Sequence, residues 1–161
     1  MGADLPHLLW GEGVSDLGPF RFAVSEAGLH KLAFIDRLAA KCDASVDLWR
    51  LQLEQAINQP WRQHNIPLHV VGTPFQKSVW LAVAAIPAGE TRTYQEIAHL
   101  LGRPLAARAV GAANAANPIA VLIPCHRLVR TTGALAGYAY GLDRKQALLD
   151  KERKGRADGQ G

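Results

Sequence analysis

The sequence predicts a two-part α/β protein, with a small α+β scaffold over residues 1–71 and a helical half over residues 72–161. Two observations carry this. The first 70 residues mix period-two and helical apolar patterns, whereas from Gly72 onward the character changes to helices punctuated by Thr, Pro and Gly. A chain of 161 residues, 48% hydrophobic and 20% charged, is long enough for one good core or two small ones sharing an interface.

In the first half, Phe20, Phe22 and Val24 alternate as a strand, residues 25–28 have turn chemistry, and Leu32 and Phe34 resume the alternation. Val46, Trp49, Leu53, Ala56 and Ile57 then follow helical spacing, Gln59-Pro60 stops that helix, and Ile66, Leu68 and Val70 alternate as a further strand. No chemistry is legible in this half, which reads as a scaffold.

In the second half, Thr73 is an N-cap with Pro74 at the first helical position, and Phe75, Val79, Val83 and Ile86 form the inner stripe. Pro87-Ala88-Gly89 ends it. Thr93 with Glu96 makes a capping box; Ile97, Leu100 and Leu101 point inward and Gly102 closes the helix. Pro104 opens another helix, which halts at Asn117-Pro118. Two short helices joined by a tight turn suggest a helix-turn-helix. Residues 105–117 hold seven alanines, one glycine, two asparagines and a single charge, Arg108. Such a surface suits close packing in the protein and a narrow groove of DNA equally. The apolar run 119–123 reads as a buried strand leading into Pro124-Cys125-His126-Arg127. A glycine-bracketed aromatic loop, 137–141, precedes a last helix from Asp143 towards Glu152 with Leu148 and Leu149 inward.

Charge and cysteine content narrow the function. A net charge of +4 favours a polyanionic partner only mildly, and the basic tail 151–156 suits a solvated helix end. No apolar run approaches the ~20 residues needed to span a bilayer, and the N-terminus lacks the cationic lead of a signal peptide. The cytosol, or the nucleus of a host that has one, is the expected compartment. Two distant cysteines, Cys42 and Cys125, provide neither a disulfide framework nor a zinc site. A free thiol of pKa ~8.5 is only a few per cent thiolate at neutral pH, so a nucleophilic cysteine needs help. His126 and Arg127 are suitable neighbours for Cys125, and Pro124 fixes the backbone just before it. The alternative for any single cysteine is a buried, inert thiol.

The string Ile123-Pro124-Cys125-His126-Arg127 resembles the active-site motif of the O6-alkylguanine-DNA alkyltransferases. The resemblance extends in order through Gly72-Thr73-Pro74-Phe75-Gln76, Ile86-Pro87, Gly89-Glu90-Thr91, Thr93-Tyr94, Ala107-Arg108-Ala109-Val110, Asn117-Pro118, Gly137-Tyr138 and Glu152. Residues 1–71 match loosely and 153–161 not at all. The resemblance implies a ribonuclease-H-like N-terminal scaffold and a winged-helix-type DNA-binding domain. It implies that Cys125 takes the alkyl group irreversibly from O6-alkylguanine in double-stranded DNA, each molecule working once and without a cofactor. His126 would accept the thiol proton through a water, Glu152 would hold the imidazole, and Tyr94 would protonate the departing guanine. Arg108 would fill the stack left by a flipped nucleotide, with Ala107, Ala109, Ala112, Ala113 and Thr93 along the DNA. Asn117 would brace the turn before the active-site segment. Leu128, Tyr138, Ala139 and Tyr140 would form the base pocket, backbone groups of Cys125, Leu128 and Ala139 reading the guanine edge.

Taken singly, Tyr94 is also the second residue of a capped helix, and Glu152 and Arg108 ordinary helix charges. Some relatives hold zinc through two cysteines and two histidines; here His30 stands in a comparable place without those cysteines, so no metal is expected. Tyr140 stands where several relatives have glycine, and a ring there would narrow the pocket for large alkyl groups if the loop 137–141 forms one of its walls. A monomer is expected, with clustering along DNA and activity on O4-alkylthymine left open. Two rivals remain: a non-catalytic damage binder, whose known relatives lack the cysteine, and a Cys-His hydrolase, which would need an oxyanion hole and would turn over.

Overall fold

A computed structural model describes residues 7–39, 42, 44–133, 135 and 137–158. The N-terminal part is a three-stranded antiparallel sheet in the order β1 (Leu9–Ser15), β2 (Gly18–Ser25) and β3 (Gly28–Phe34), followed by α1 (Asp47–Asn58). β1 escaped the sequence reading because Gly11, Glu12 and Gly13 interrupt any alternation. The glycines have a packing reason. They pair with Phe22 and Phe20 across the strands, and a Cβ there would lie 2.3 and 2.5 Å from those rings. The two rings therefore lie across β1, and both are fully buried.

The C-terminal part holds α2 (Pro74–Ala84), β4 (Arg92–Thr93), α3 (Tyr94–Leu100), α4 (Ala107–Ala115), β5 (Leu128–Val129) and α5 (Leu142–Ala157), with β4 and β5 pairing in parallel. Both expected caps are present. Thr73 Oγ1 accepts from Gln76 N and Thr93 Oγ1 from Glu96 N, each N3 side chain bonding back. Gly102 follows α3 with φ +71°. α4 packs against α2 and α3, completing the helix-turn-helix. One apolar cluster joins the halves, running from Phe22 and Leu32 through Ile119 and Ile123 to Val83 and Leu148.

Several elements differ from expectation. Residues 66–70 form no strand; Leu68 makes a lone bridge to Leu29. Leu100 points outward, 69% exposed, since the short α3 turns only Ile97 and Ala98 into the core. α4 begins at Ala107, leaving Leu105 99% exposed. The last helix is longer than expected, ending at Ala157, and its tail is not simply solvated: Gly155 is buried against Trp61. The largest change concerns 119–123, which is buried but not a strand. Ile119 makes one bridge to Leu32, and Val121 adopts φ +68°. The chain folds on itself through Leu122 N to Ala120 O (2.7 Å) and Ile123 N to Ile119 O (3.2 Å). These turn bonds satisfy the buried backbone that a ladder would otherwise have to serve. Among the described residues, no helix is long and apolar enough to cross a membrane.

Candidate active site

Cys125 opens a short helical turn, Cys125–Arg127, immediately after the irregular segment. Two asparagines hold that segment. Asn117 Nδ2 donates to Ile123 O (2.8 Å) while its Oδ1 accepts from Ile119 N (2.9 Å), so one side chain bridges both ends of the loop. Asn114, buried on α4, donates from Nδ2 to Cys125 O (3.2 Å). The thiol is thus placed by side chains from α4 and its exit, not by strand pairing.

Cys125 borders a cavity of about 360 Å³, together with Tyr94, Asn117, Tyr138, Ala139 and Tyr140. The fold therefore gathers into one concavity residues that lie up to 46 positions apart in sequence (94 to 140). Leu128 is fully buried and not part of the cavity wall. Its carbonyl already accepts from Lys145 Nζ at 2.6 Å, and Cys125 O from Asn114, so two of the backbone groups expected to read guanine have protein partners.

Behind Cys125 stands a buried polar cluster. His126 and Glu152 are both 0% exposed, with His126 Nε2 2.7 Å from Glu152 Oε1. A carboxylate facing Nε2 requires the proton there, which leaves Nδ1 as the basic lone pair. Nδ1 is buried without a hydrogen-bond partner in the protein. Arg127 donates from Nε to Glu152 Oε2 (2.8 Å), again to Oε2 from Nη2, and from Nη1 to Ile86 O (2.5 Å). Burial alone would raise the Glu152 pKa, but hydrogen bonds from His126 and Arg127 outweigh it and hold the carboxyl below its ordinary range. Burial lowers the His126 pKa despite Glu152, so the imidazole is neutral at pH 7.

This corrects one expectation about Cys125. His126 and Arg127 do not lower its pKa by adjacent charge, because His126 is neutral and Arg127 is spent on Glu152. Burial raises the thiol pKa, with an Asn117 amide contact and the charge of Lys145 pulling the other way. The thiol therefore keeps its proton at neutral pH. Lys145 is fully buried, its pKa lowered by that burial, and it escaped the sequence reading because a lysine in a polar helix looks solvent-facing. Burial also raises Tyr94, so its phenol keeps its proton at neutral pH.

On α4, Arg108, Ala109 and Ala112 are exposed and Ala107 partly so. Ala113 belongs instead to the inner face with Val110 and Asn114, and its carbonyl accepts from Trp80 Nε1 at 2.8 Å. A residue 3% exposed cannot line a DNA surface, so the helical period removes Ala113 from that set. Thr93 caps α3 and is half-buried. No group of three or more His, Cys, Asp or Glu side chains gathers for a metal among the described residues; the His30 ring lies 4.6 Å from that of His69, tilted by 43°, and its Nε2 lies 2.6 Å from Ser25 Oγ.

Residues 74–154 match the family model of the 6-O-methylguanine DNA methyltransferase DNA-binding domain. A methylated-DNA–protein-cysteine methyltransferase of Methanosarcina barkeri is 45% identical over 146 residues, covering 86% of this chain and 92% of the relative. Its counterpart in Mycolicibacterium paratuberculosis is 54% identical over 92 residues, 57% of this chain and 56% of the relative. The crystal structure of Mycobacterium tuberculosis OGT in complex with DNA superposes with a TM-score of 0.80 at 38% identity, covering 90% of this chain and 92% of that one. With a cysteine, a neutral histidine and a protonated tyrosine gathered as described, the chain belongs to the methylated-DNA–protein-cysteine methyltransferase family.

Proposed function

We propose that this protein repairs DNA by direct reversal, moving the alkyl group from guanine O6 to Cys125 Sγ in one irreversible event. The observation that carries the reading is the placement of Cys125 at the edge of a base-sized cavity, with a neutral His126 held by Glu152 behind it. His126 Nδ1 takes the thiol proton through a water. The sulfur lone pair forms the S–C bond as the C–O6 bond breaks, and its electrons leave on the guanine. Tyr94 supplies the proton that neutralises that anion, and solvent restores the tyrosine and histidine. No cofactor is needed, because the thiol provides both the electron pair and, in sum, the proton.

The thioether has no leaving group of comparable quality, so each molecule acts once. A stacked base cannot bring O6 to a thiol only 7% exposed, so the nucleotide is flipped out at a cost of a few kcal/mol. Arg108, exposed near the start of α4, fills the vacated stack, while the small side chains Ala109 and Ala112 let the helix approach the minor groove closely. Minor-groove readout is degenerate, which suits a protein that must repair lesions in any sequence. One chain supplies every proposed group, so a monomer suffices. Its substrate requires the cytosol, or the nucleus in a host that has one.

The test is intact-mass measurement after mixing with a duplex carrying one O6-methylguanine. One methyl gained per protein, with one lesion consumed, supports the reading. An unchanged mass with tight binding would make the protein a damage binder, and repeated turnover with no adduct would make it a hydrolase.

A further inference from the structure

One wall of the cavity is held from the other half of the molecule. Tyr140 lines the cavity, and two aromatic neighbours meet its ring edge-on: Tyr138 at 5.4 Å and 76°, and Phe34 at 5.4 Å and 71°. Phe34 is the last residue of β3 and is buried, so the row Tyr138–Tyr140–Phe34 runs from the pocket into the N-terminal sheet.

Arg144, in the first turn of α5, fastens this row. Its Cζ lies 4.9 Å from the centroid of Phe34, its Nη1 donates to Tyr140 O (3.2 Å), and its Nε donates to Leu17 O (2.9 Å). Leu17 sits in the β1–β2 turn beside Gly18, whose φ is +110° and where a Cβ would meet Arg144 Nη2 at 3.0 Å. The turn is thus shaped to seat the guanidinium. One cation joins a hairpin turn, the end of a strand and the backbone of the pocket residue. A tyrosine restrained only by its own side-chain torsion swings aside readily. This one must give up two edge contacts, against a backbone that Arg144 also holds.

We propose that Phe34 and Arg144 are specificity-determining residues that act by position, holding the Tyr140 ring as a fixed wall so that the N-terminal sheet limits the size of the alkyl group reaching Cys125. The inference rests on alkyl transfer to Cys125. A methyl group makes no demand on the wall, whereas a benzyl group must displace it.

The test compares single-turnover transfer from duplexes carrying O6-methylguanine or O6-benzylguanine. The proteins are the parent, Phe34→Leu, Arg144→Met, Tyr140→Gly and the double variant Phe34→Leu/Tyr140→Gly. Phe34→Leu keeps most of the apolar volume, Arg144→Met leaves the core intact, and thermal melts establish folding. The benzyl-to-methyl rate ratio is expected to rise about two- to tenfold in Phe34→Leu and in Arg144→Met, the weight of one aromatic contact. In the Tyr140→Gly background, Phe34→Leu should leave the ratio where it was. Equal slowing on both substrates would overturn the proposal and reduce the two residues to fold support. A ratio change that persists without Tyr140 would overturn it too. A parent that takes neither group onto Cys125 would sink the proposed function itself, a separate result.

Discussion

Glu152→Gln isolates what the buried cluster contributes, because it keeps the shape of the side chain and removes only its charge. In the parent, Glu152 accepts from His126 through one oxygen and from Arg127 through the other, at 0% exposure. The amide has one acceptor oxygen and one NH2 group, so a donor meets a donor unless the oxygen faces Arg127 and His126 moves its proton to Nδ1, which takes away the basic lone pair. The guanidinium of Arg127 is then left buried and uncompensated. Breaking one side of a buried ion pair costs about 3–5 kcal/mol. For a chain of this size each kcal/mol moves Tm by roughly 2–4 °C, so the variant should melt roughly 6–20 °C below the parent. Circular dichroism melts measure this. Activity should fall separately. Without the carboxylate the imidazole loses its preference for the proton on Nε2, and general-base help of about 10²–10⁴-fold is at stake. Single-turnover transfer, taken at a temperature where the variant is fully folded, reads that loss. A Tm within about 2 °C of the parent, or a transfer rate within about twofold of it, would refute the assignment of Glu152 as the hinge of the cluster.

Tyr94→Phe should slow the chemical step while leaving lesion affinity nearly unchanged, because it deletes a proton donor and little volume; an unaltered single-turnover rate would reassign the tyrosine to packing. Arg108→Ala should slow repair in duplex DNA far more than dealkylation of the free O6-alkylguanine base, which needs no flipping, and equal losses would remove Arg108 from that role. The parent should react more slowly with O6-benzylguanine than with methylated DNA: overpacking of about 1–3 kcal/mol, partly offset by stacking of about 0.5–1.5 kcal/mol, leaves a net of about 1 kcal/mol, roughly fivefold. Tyr140→Gly should selectively recover that difference, and no gain with benzylguanine would mean that the ring does not bound the alkyl site. Stability should decline as pH falls. His126 and Glu152 both have folded pKa values below their ordinary ones, so each contributes stability above its unfolded pKa. That contribution is lost first below about pH 6.5 for the histidine and then below about 4.3 for the carboxylate. Urea midpoints that are flat from pH 7 to pH 4 would contradict this.

What the sequence made legible was local chemistry. Thr73, Thr93 and Gly102 announce helix ends because capping is settled within four residues, and Phe20, Phe22 and Val24 announce β2 because its inner face is densely apolar. Cys125, Tyr94 and Tyr138 belong to the motif pattern and Tyr140 departs from it, and the fold brings all four to one cavity. The misreadings come from long-range partners. The run 119–123 is as apolar as a strand, yet the Asn117 side chain takes the place of a ladder. Arg127 looked like an electrostatic neighbour of the thiol until Glu152, 25 positions on, claimed it. Asn114 and Lys145 are polar residues on helices, and only the packed structure reveals that both face inward, onto Cys125 O and Leu128 O. Nothing in the first 71 residues hinted that Phe34 would reach a pocket residue of the other half.

In the proposed reaction the alkyl group ends on one particular sulfur. Peptide mapping by tandem mass spectrometry, after reaction with a duplex carrying O6-methylguanine, tests it most directly. One methyl is expected on Cys125 and none on Cys42, with the adduct lost in Cys125→Ser and retained in Cys42→Ser. A methyl on any other residue, or an adduct that survives Cys125→Ser, would contradict it.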